Sequence, residues 1–220
     1  MYFIGQDFVN TLTHLVRGLV ATLLLVFAGT SPALAQSRAG LTLGATASEL
    51  HGDFITVRGD LKWGFYGGGF GEVAVGDVLA LNLGVNYAQK GGSGLTGTGL
   101  LDAERIELDL NYIELPLLVE MTLPLGAKWG LMAYGGISGA FNTGCKASLG
   151  GGSKESCKDT ALGGARTEWG IPVGGGFSYT LDNGESVVFE ARYTWGQSDV
   201  VANANIKNGA WYFLIRLVGS

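Results

Sequence analysis

Six charged residues stand inside otherwise apolar or glycine-rich stretches: Glu72, Glu114, Glu120, Glu190, Arg192 and Arg216. Paired carboxylates can do general acid–base chemistry, and carboxylates facing guanidinium groups can line an ion path. The same set can also form a core of buried ion pairs, because a charge withdrawn from water is tolerated only when paired and hydrogen-bonded. Each of the six falls on the small or polar side of an alternating run, which favours the structural reading. A serine hydrolase would need a histidine within reach of a serine. Ser48 and His51, with Glu49 between them, are the one candidate grouping after residue 36. Neighbours in sequence are weak evidence for a dyad, and no catalytic residue is assigned. The glycine runs at 67–69, 150–152 and 174–176 lack a following helical pattern. They read as strand curvature or loop rather than phosphate cradles.

Two cysteines, Cys145 and Cys157, share one Gly/Ser/Lys-rich segment. A metal at these cysteines would need further ligands, and His51 is far away in sequence, so neither metal nor cofactor is expected. In an exported chain the default is a disulfide at the tip of a loop. Export is what the N-terminus signals. Arg17 precedes the apolar run GLVATLLLVFAGT at 18–30, and Ala33-Leu34-Ala35 is a small-x-small cleavage site. Residues 1–35 therefore read as a signal peptide cut before Gln36, with residues 36–220 as one domain. The apolar run is short for a membrane helix of about 20 residues.

The elements that position these residues show a period of two and no helical period. Leu79, Leu81, Leu83, Val85 and Tyr87 alternate with Ala80, Asn82, Gly84 and Asn86. Val187, Phe189, Ala191, Tyr193 and Trp195 alternate with Val188, Glu190, Arg192 and Thr194. A soluble sandwich would turn the apolar row inward. Three features predict the inverse, with that row facing lipid. The runs reach roughly nine to twelve residues, close to membrane-strand length. Trp63, Tyr87, Trp129, Trp169, Tyr179, Trp195 and Trp211 fall near run ends, where interfacial girdles form. Connections also alternate between tight turns and long loops. Tight turns fall at 75–77, 124–126 and 182–184, the last carrying an Asn-Gly step. Long loops are expected at 48–61, 90–104, 143–166 and 197–208.

The pattern predicts an all-β fold: an eight-stranded antiparallel transmembrane barrel with short periplasmic turns and long extracellular loops. Its strands are expected at about 39–47, 62–74, 78–89, 105–122, 128–142, 165–180, 185–196 and 209–218. An even number closes the barrel and leaves no unpaired edge in hydrocarbon. The fourth run shows a phase break. Ile106, Leu108, Leu110 and Tyr112 form its first apolar row, and Ile113, Leu115, Leu117, Val119 and Met121 its second. A β-bulge near 112–114 is the simplest repair. Depth along the runs sets Glu72, Glu120, Glu190 and Arg216 at one level near the periplasmic end, with Arg192 a layer above. Arg216 should then reach across to Glu120 on the opposite strand and sideways to Glu190.

Several segments resemble those of the PorT-like outer-membrane β-barrel family. Tyr87, Gln89, Lys90 and Gly91 match its Y-x-Q-K-G motif, and Tyr112, Glu114, Pro116, Leu117 and Leu118 its Y-x-E-x-P-L-L motif. The likeness implies an outer-membrane barrel of a Gram-negative-type bacterium and no shared reaction; some members are accessory components of secretion or gliding machinery. The expected surroundings are outer-membrane lipid and an envelope or secretion-machinery protein. Nucleic acid is excluded by a net charge of −5. Three functions stay open: a structural or accessory barrel acting through its loops, a narrow porin-like channel for small solutes, and an outer-membrane hydrolase.

Overall fold

A computed structural model describes residues 37–52, 61–95, 106–149, 152–157, 167–199 and 206–219. The leader expected over 1–35 and the outer parts of the long loops lie outside the described residues. The strands are β1 (Ser37–Gly52), β2 (Lys62–Ala74), β3 (Leu79–Leu95), β4 (Ile106–Pro124), β5 (Trp129–Leu149), β6 (Glu155–Ser156), β7 (Thr167–Thr180), β8 (Ser186–Gly196) and β9 (Ile206–Val218). Eight long strands close through β1–β9 and β4–β5 pairing, and the two-residue β6 adds to the upper edge of β5. Closure satisfies every strand edge within the membrane.

The alternation dictates which face meets lipid. In the membrane-spanning part of all eight long strands the lumen row falls on even-numbered residues and the lipid row on odd ones. Leu83, Val85, Val119, Ile137, Phe177, Phe189 and Ile215 are each about half exposed or more, whereas Asn82, Asn86, Glu120, Glu190 and Arg216 are buried. Aromatic side chains gather at both ends of the lipid row. Trp129 packs on Tyr179 at the short-turn end, with ring centroids 4.9 Å apart. At the loop end Trp63 packs on Phe213 at 6.2 Å, and Tyr193 lies between Trp195 at 4.8 Å and Trp211 at 5.0 Å.

Three details of the expected strands are corrected. First, the strands run further toward the loop end. Residues 48–52 belong to β1, 90–95 to β3, 143–149 to β5 and 206–208 to β9, all within stretches expected to be loop. Backbone pairing continues there, as Gly52 opposite Ile206 shows, after the apolar alternation has ended. Second, β4 has no phase break. Leu108, Leu110, Tyr112, Glu114, Pro116, Leu118 and Glu120 are all buried on one row. The first apolar set fills the upper lumen and the second meets lipid, so the change lies in the chemistry of the lumen and not in the register. The bulge is on β5 instead: Asn111 pairs with Gly144 and Tyr112 with Asn142, leaving Thr143 unmatched. Third, the Cys145–Cys157 disulfide is present, with Cα atoms 5.4 Å apart, but not at a loop tip. It ties the upper end of β5 to the residue following β6, and Cys157 is buried in the lumen cap with Leu50, Leu108 and Leu110.

The barrel lumen as candidate functional site

Four layers fill the lumen. Nearest the short turns, Phe70, Leu118, Met132, Tyr134, Val188 and Val218 surround a charge cluster centred on Arg216. Arg216 crosses the barrel from β9 to β4, where Nη1 and Nη2 donate to Glu120 at 2.5 and 3.0 Å. Its Nη2 lies 3.7 Å from Glu72 on β2, and its Nε lies 3.7 Å from Glu190 on β8. Both of these are ion pairs too long for hydrogen bonds. The guanidinium also stacks over Phe70, 4.7 Å from the ring centroid. Glu72 has a second partner in Arg38, which is half exposed at the start of β1.

Arg192 forms the next layer. Its Nη2 donates to Glu190 at 3.1 Å, its Nη1 to the Tyr66 hydroxyl at 3.1 Å and its Nε to the Tyr134 hydroxyl at 3.2 Å. The rings of Tyr66, Tyr134 and Tyr212 surround the guanidinium at 5.3–5.8 Å, a cation–π enclosure in a water-poor site. Gly174 makes room for this cage. A Cβ there would sit 2.6 Å from the Tyr134 ring and hydroxyl.

Glu114 belongs to a separate third layer and not to the Arg216 cluster. It pairs with Lys90 and accepts from the Tyr212 hydroxyl at 2.9 Å. Lys90 lies 5.2 Å from the Tyr112 ring centroid and 5.7 Å from that of Tyr212, and the Tyr112 hydroxyl donates to Glu168. A cavity of about 10 Å³ bounded by Lys90, Glu114, Glu168 and Asn208 has room for roughly one water. Above it, Leu50, Leu108, Leu110, Ala147 and Cys157 form the apolar cap.

Lys90, Glu168, Arg38 and the four lumen tyrosines were not among the expected site residues. Their signal was parity: all lie on the even row. Lys90 falls inside the expected loop 90–104, Glu168 lies next to the expected loop 143–166, and Tyr112 falls in the row read as the first apolar set of the fourth strand. Two motif segments meet here, since Lys90 of Y-x-Q-K-G pairs with Glu114 of Y-x-E-x-P-L-L. Gly91, at a φ of 142° that disfavours a side chain, lets the Ser48 hydroxyl accept from its N–H at 2.9 Å and donate to its carbonyl at 3.0 Å.

These bonds also dispose of the Ser48–His51 pair. The Ser48 hydroxyl is buried and engaged by backbone, while His51 is exposed on the opposite row. Among the described residues no group of three or more His, Cys, Asp or Glu is placed to hold a metal. Outside the strands, a hydrogen bond to Asp109 holds the Lys154 ammonium above its usual range, and one to Asp182 does the same for Lys128.

Solved structures similar to this chain are small outer-membrane proteins. Ail, the attachment invasion locus protein of Yersinia pestis, solved with the heparin analogue sucrose octasulfate, is 14% identical over 84% of this chain and 99% of its own, with a TM-score of 0.44. Neisserial surface protein A is 15% identical over 81% and 96%, with a TM-score of 0.47. The N-terminal β-barrel domain of Pseudomonas aeruginosa OprF is 10% identical over 83% and 98%, with a TM-score of 0.41. No curated protein matches the chain by sequence. The model of the outer membrane protein β-barrel domain matches residues 21–214, and the chain belongs to that family.

Proposed function

We propose that this outer-membrane barrel is a closed structural or accessory component of the envelope that acts through its extracellular face, and neither conducts solutes nor catalyses a reaction. The observation that carries this reading is the filled lumen. Arg216, Arg192 and Lys90 each bridge carboxylates or tyrosines from different strands, and the apolar cap lies above them. An eight-stranded barrel encloses a space that side chains can fill, and here they do. Planar-bilayer recording of the purified protein tests it: no unitary conductance is expected, and steady openings would replace this reading with the narrow channel.

The motif likeness supports a barrel of the PorT-like type. The motif residues Lys90, Tyr112 and Glu114 are in mutual contact through Lys90, and Gly91 bonds instead to Ser48, so their spacing serves a structural purpose. The partner class in keeping with that type is an envelope or secretion-machinery protein, to be sought by mild crosslinking in cells and copurification. Residues 1–35 are assigned as a cleaved leader. N-terminal sequencing of the membrane-inserted protein should begin at Gln36, and a start at Met1 would refute the assignment.

A further inference from the structure

The outer wall of the barrel carries a basic pocket at its loop end. Lys62 on β2, Lys146 on β5 and Lys154 just before β6 line a cavity of about 370 Å³ together with Trp63, Gln89 and Asp109. Trp63, Gln89 and Asp109 are on the odd row, the face that meets lipid lower down the barrel. Lys146 is opposite Asp109 in the β4–β5 ladder, so their side chains share that face. The chain as a whole is acidic, yet the charge here is reversed. Asp109 pairs with both Lys62 and Lys154, the latter at 2.6 Å, and Glu107 is a further 4.0 Å contact of Lys154. Lys146 has no carboxylate partner among the described residues. Lys62, Lys146 and Lys154 thus have one close carboxylate and one distant one between them, while the fourth lysine that lines the pocket, Lys90, is committed to Glu114 in the lumen.

The two lysines Lys146 and Lys154 are on backbone that is tied down. Cys145 and Cys157 bracket Lys146 and Lys154, and β6 pairs with β5 at Lys146–Ser156. A disulfide and a strand pairing therefore hold the backbone at Lys146 and beside Lys154, and the Asp109 carboxylate holds the Lys154 ammonium. Depth supplies the ligand. Trp63, 63% exposed, belongs to the upper aromatic girdle and marks the level of lipid headgroups. The pocket opens beside it. Lysine is a point-charge partner for phosphate, and the volume suits a phosphoryl group with part of its sugar.

We propose that this pocket binds the phosphoryl group of an outer-leaflet glycolipid, with Lys146 and Lys154 as its chief ligands and the disulfide as their support. The inference needs only the orientation of the barrel in the membrane and is independent of whether the lumen conducts.

The test uses the full barrel in zwitterionic nanodiscs and native mass spectrometry, with phosphorylated lipid A as probe. One bound lipid per barrel is expected. Lys146→Gln with Lys154→Gln should weaken binding about tenfold or more, and dephosphorylated lipid A should bind the unaltered barrel as weakly. Lys128→Gln, at the opposite end of the barrel, should change nothing. Reduction of the disulfide should weaken binding several-fold without unfolding the barrel. Equal binding by the double variant, or by the dephosphorylated lipid, overturns the proposal. Inorganic phosphate or inositol hexakisphosphate binding as tightly as the lipid would also overturn it, by assigning the pocket to a soluble anion.

Discussion

Replacing Arg216 by Met should destabilise the barrel by about 3–5 kcal/mol, the cost of leaving a buried charge without its partner. The structure says which charge is left. Glu190 keeps Arg192, and Glu72 keeps Arg38, but among the described residues Arg216 is the only cation paired with Glu120. A unit-charge pair near 3 Å at an effective dielectric constant of 20 is worth about 5 kcal/mol, before the desolvation of both groups is subtracted. The net worth of the pair is therefore much smaller than the cost of breaking it. That difference makes the prediction specific. Arg216→Met combined with Glu120→Met should recover most of the loss, to within about 1 kcal/mol of the native barrel, because neither charge is then buried. The double-mutant cycle should show a coupling of about 2 kcal/mol or more. Urea unfolding from lipid vesicles, followed by tryptophan fluorescence and by heat-modifiable gel migration, measures all four corners. A single variant within about 1 kcal/mol of native would refute the assignment of Arg216 as the clamp of this layer, as would a double variant equal to the sum of the singles.

Arginine at Leu83 or Phe189, each more than half exposed on the lipid row, should cost about 2–4 kcal/mol near mid-membrane; spin labels at Leu83 that report water and not lipid would invert the face assignment. A Cβ at Gly174 meets the Ala191 backbone carbonyl at 2.7 Å as well as Tyr134, so Gly174→Val should disturb the Arg192 layer and destabilise by about 1–3 kcal/mol, whereas Gly71→Val, where a Cβ meets nothing within 4 Å, should be well tolerated; thermal unfolding of the two variants side by side decides it. Serine at Cys145 and Cys157 should cost up to about 3 kcal/mol, felt mainly at the loop end of β5. Faster hydrogen exchange confined to that end is the expected signature, and two free thiols in periplasm-matured protein would contradict the bond itself.

The lipid face was legible because it obeys a single rule. Leu79 to Tyr87 and Val187 to Trp195 alternate without interruption, and the tight turns between strands fix where each run begins. The lumen was legible only where charge broke the pattern, as at Glu72, Glu190 and Arg216. Leu108, Leu110 and Tyr112 misled because a lumen residue was expected to be polar, yet the upper lumen is capped against water and favours apolar side chains there. The true bulge at Thr143 left no mark, since the polar segment around it has no alternation to disturb. Strand extensions such as 48–52 and 90–95 lie outside hydrocarbon, so their outward side chains need not be apolar and the alternation that marks the lower strands is lost there, although Ser48, Leu50 and Lys90 still fill the lumen. Lys90 carries the same lumen signal inside an expected loop. It is two residues after Ala88 on the same row, and continuing the parity by one step places it in the lumen opposite Leu110, from where its side chain reaches Glu114.

The division of chemistry between the two faces bears on where function resides. Tyrosine hydroxyls link the layers: Arg192 donates to Tyr66 and Tyr134, and Tyr212 donates to Glu114. A solute crossing the lumen would have to break several of these bonds and displace the cap around Cys157, so specificity cannot readily be built into this interior without unfolding it. The outer wall carries no such constraint. Above the aromatic girdle its side chains neither fill the lumen nor face hydrocarbon, and the disulfide fixes one segment there without contributing to barrel closure. Substitutions at Lys146 and Lys154 should therefore alter binding at the extracellular face while leaving stability within about 0.5 kcal/mol of native. Substitutions at Arg216 should do the reverse. If the two sets of variants instead changed stability and binding together, the separation of a structural lumen from a functional outer face would fail.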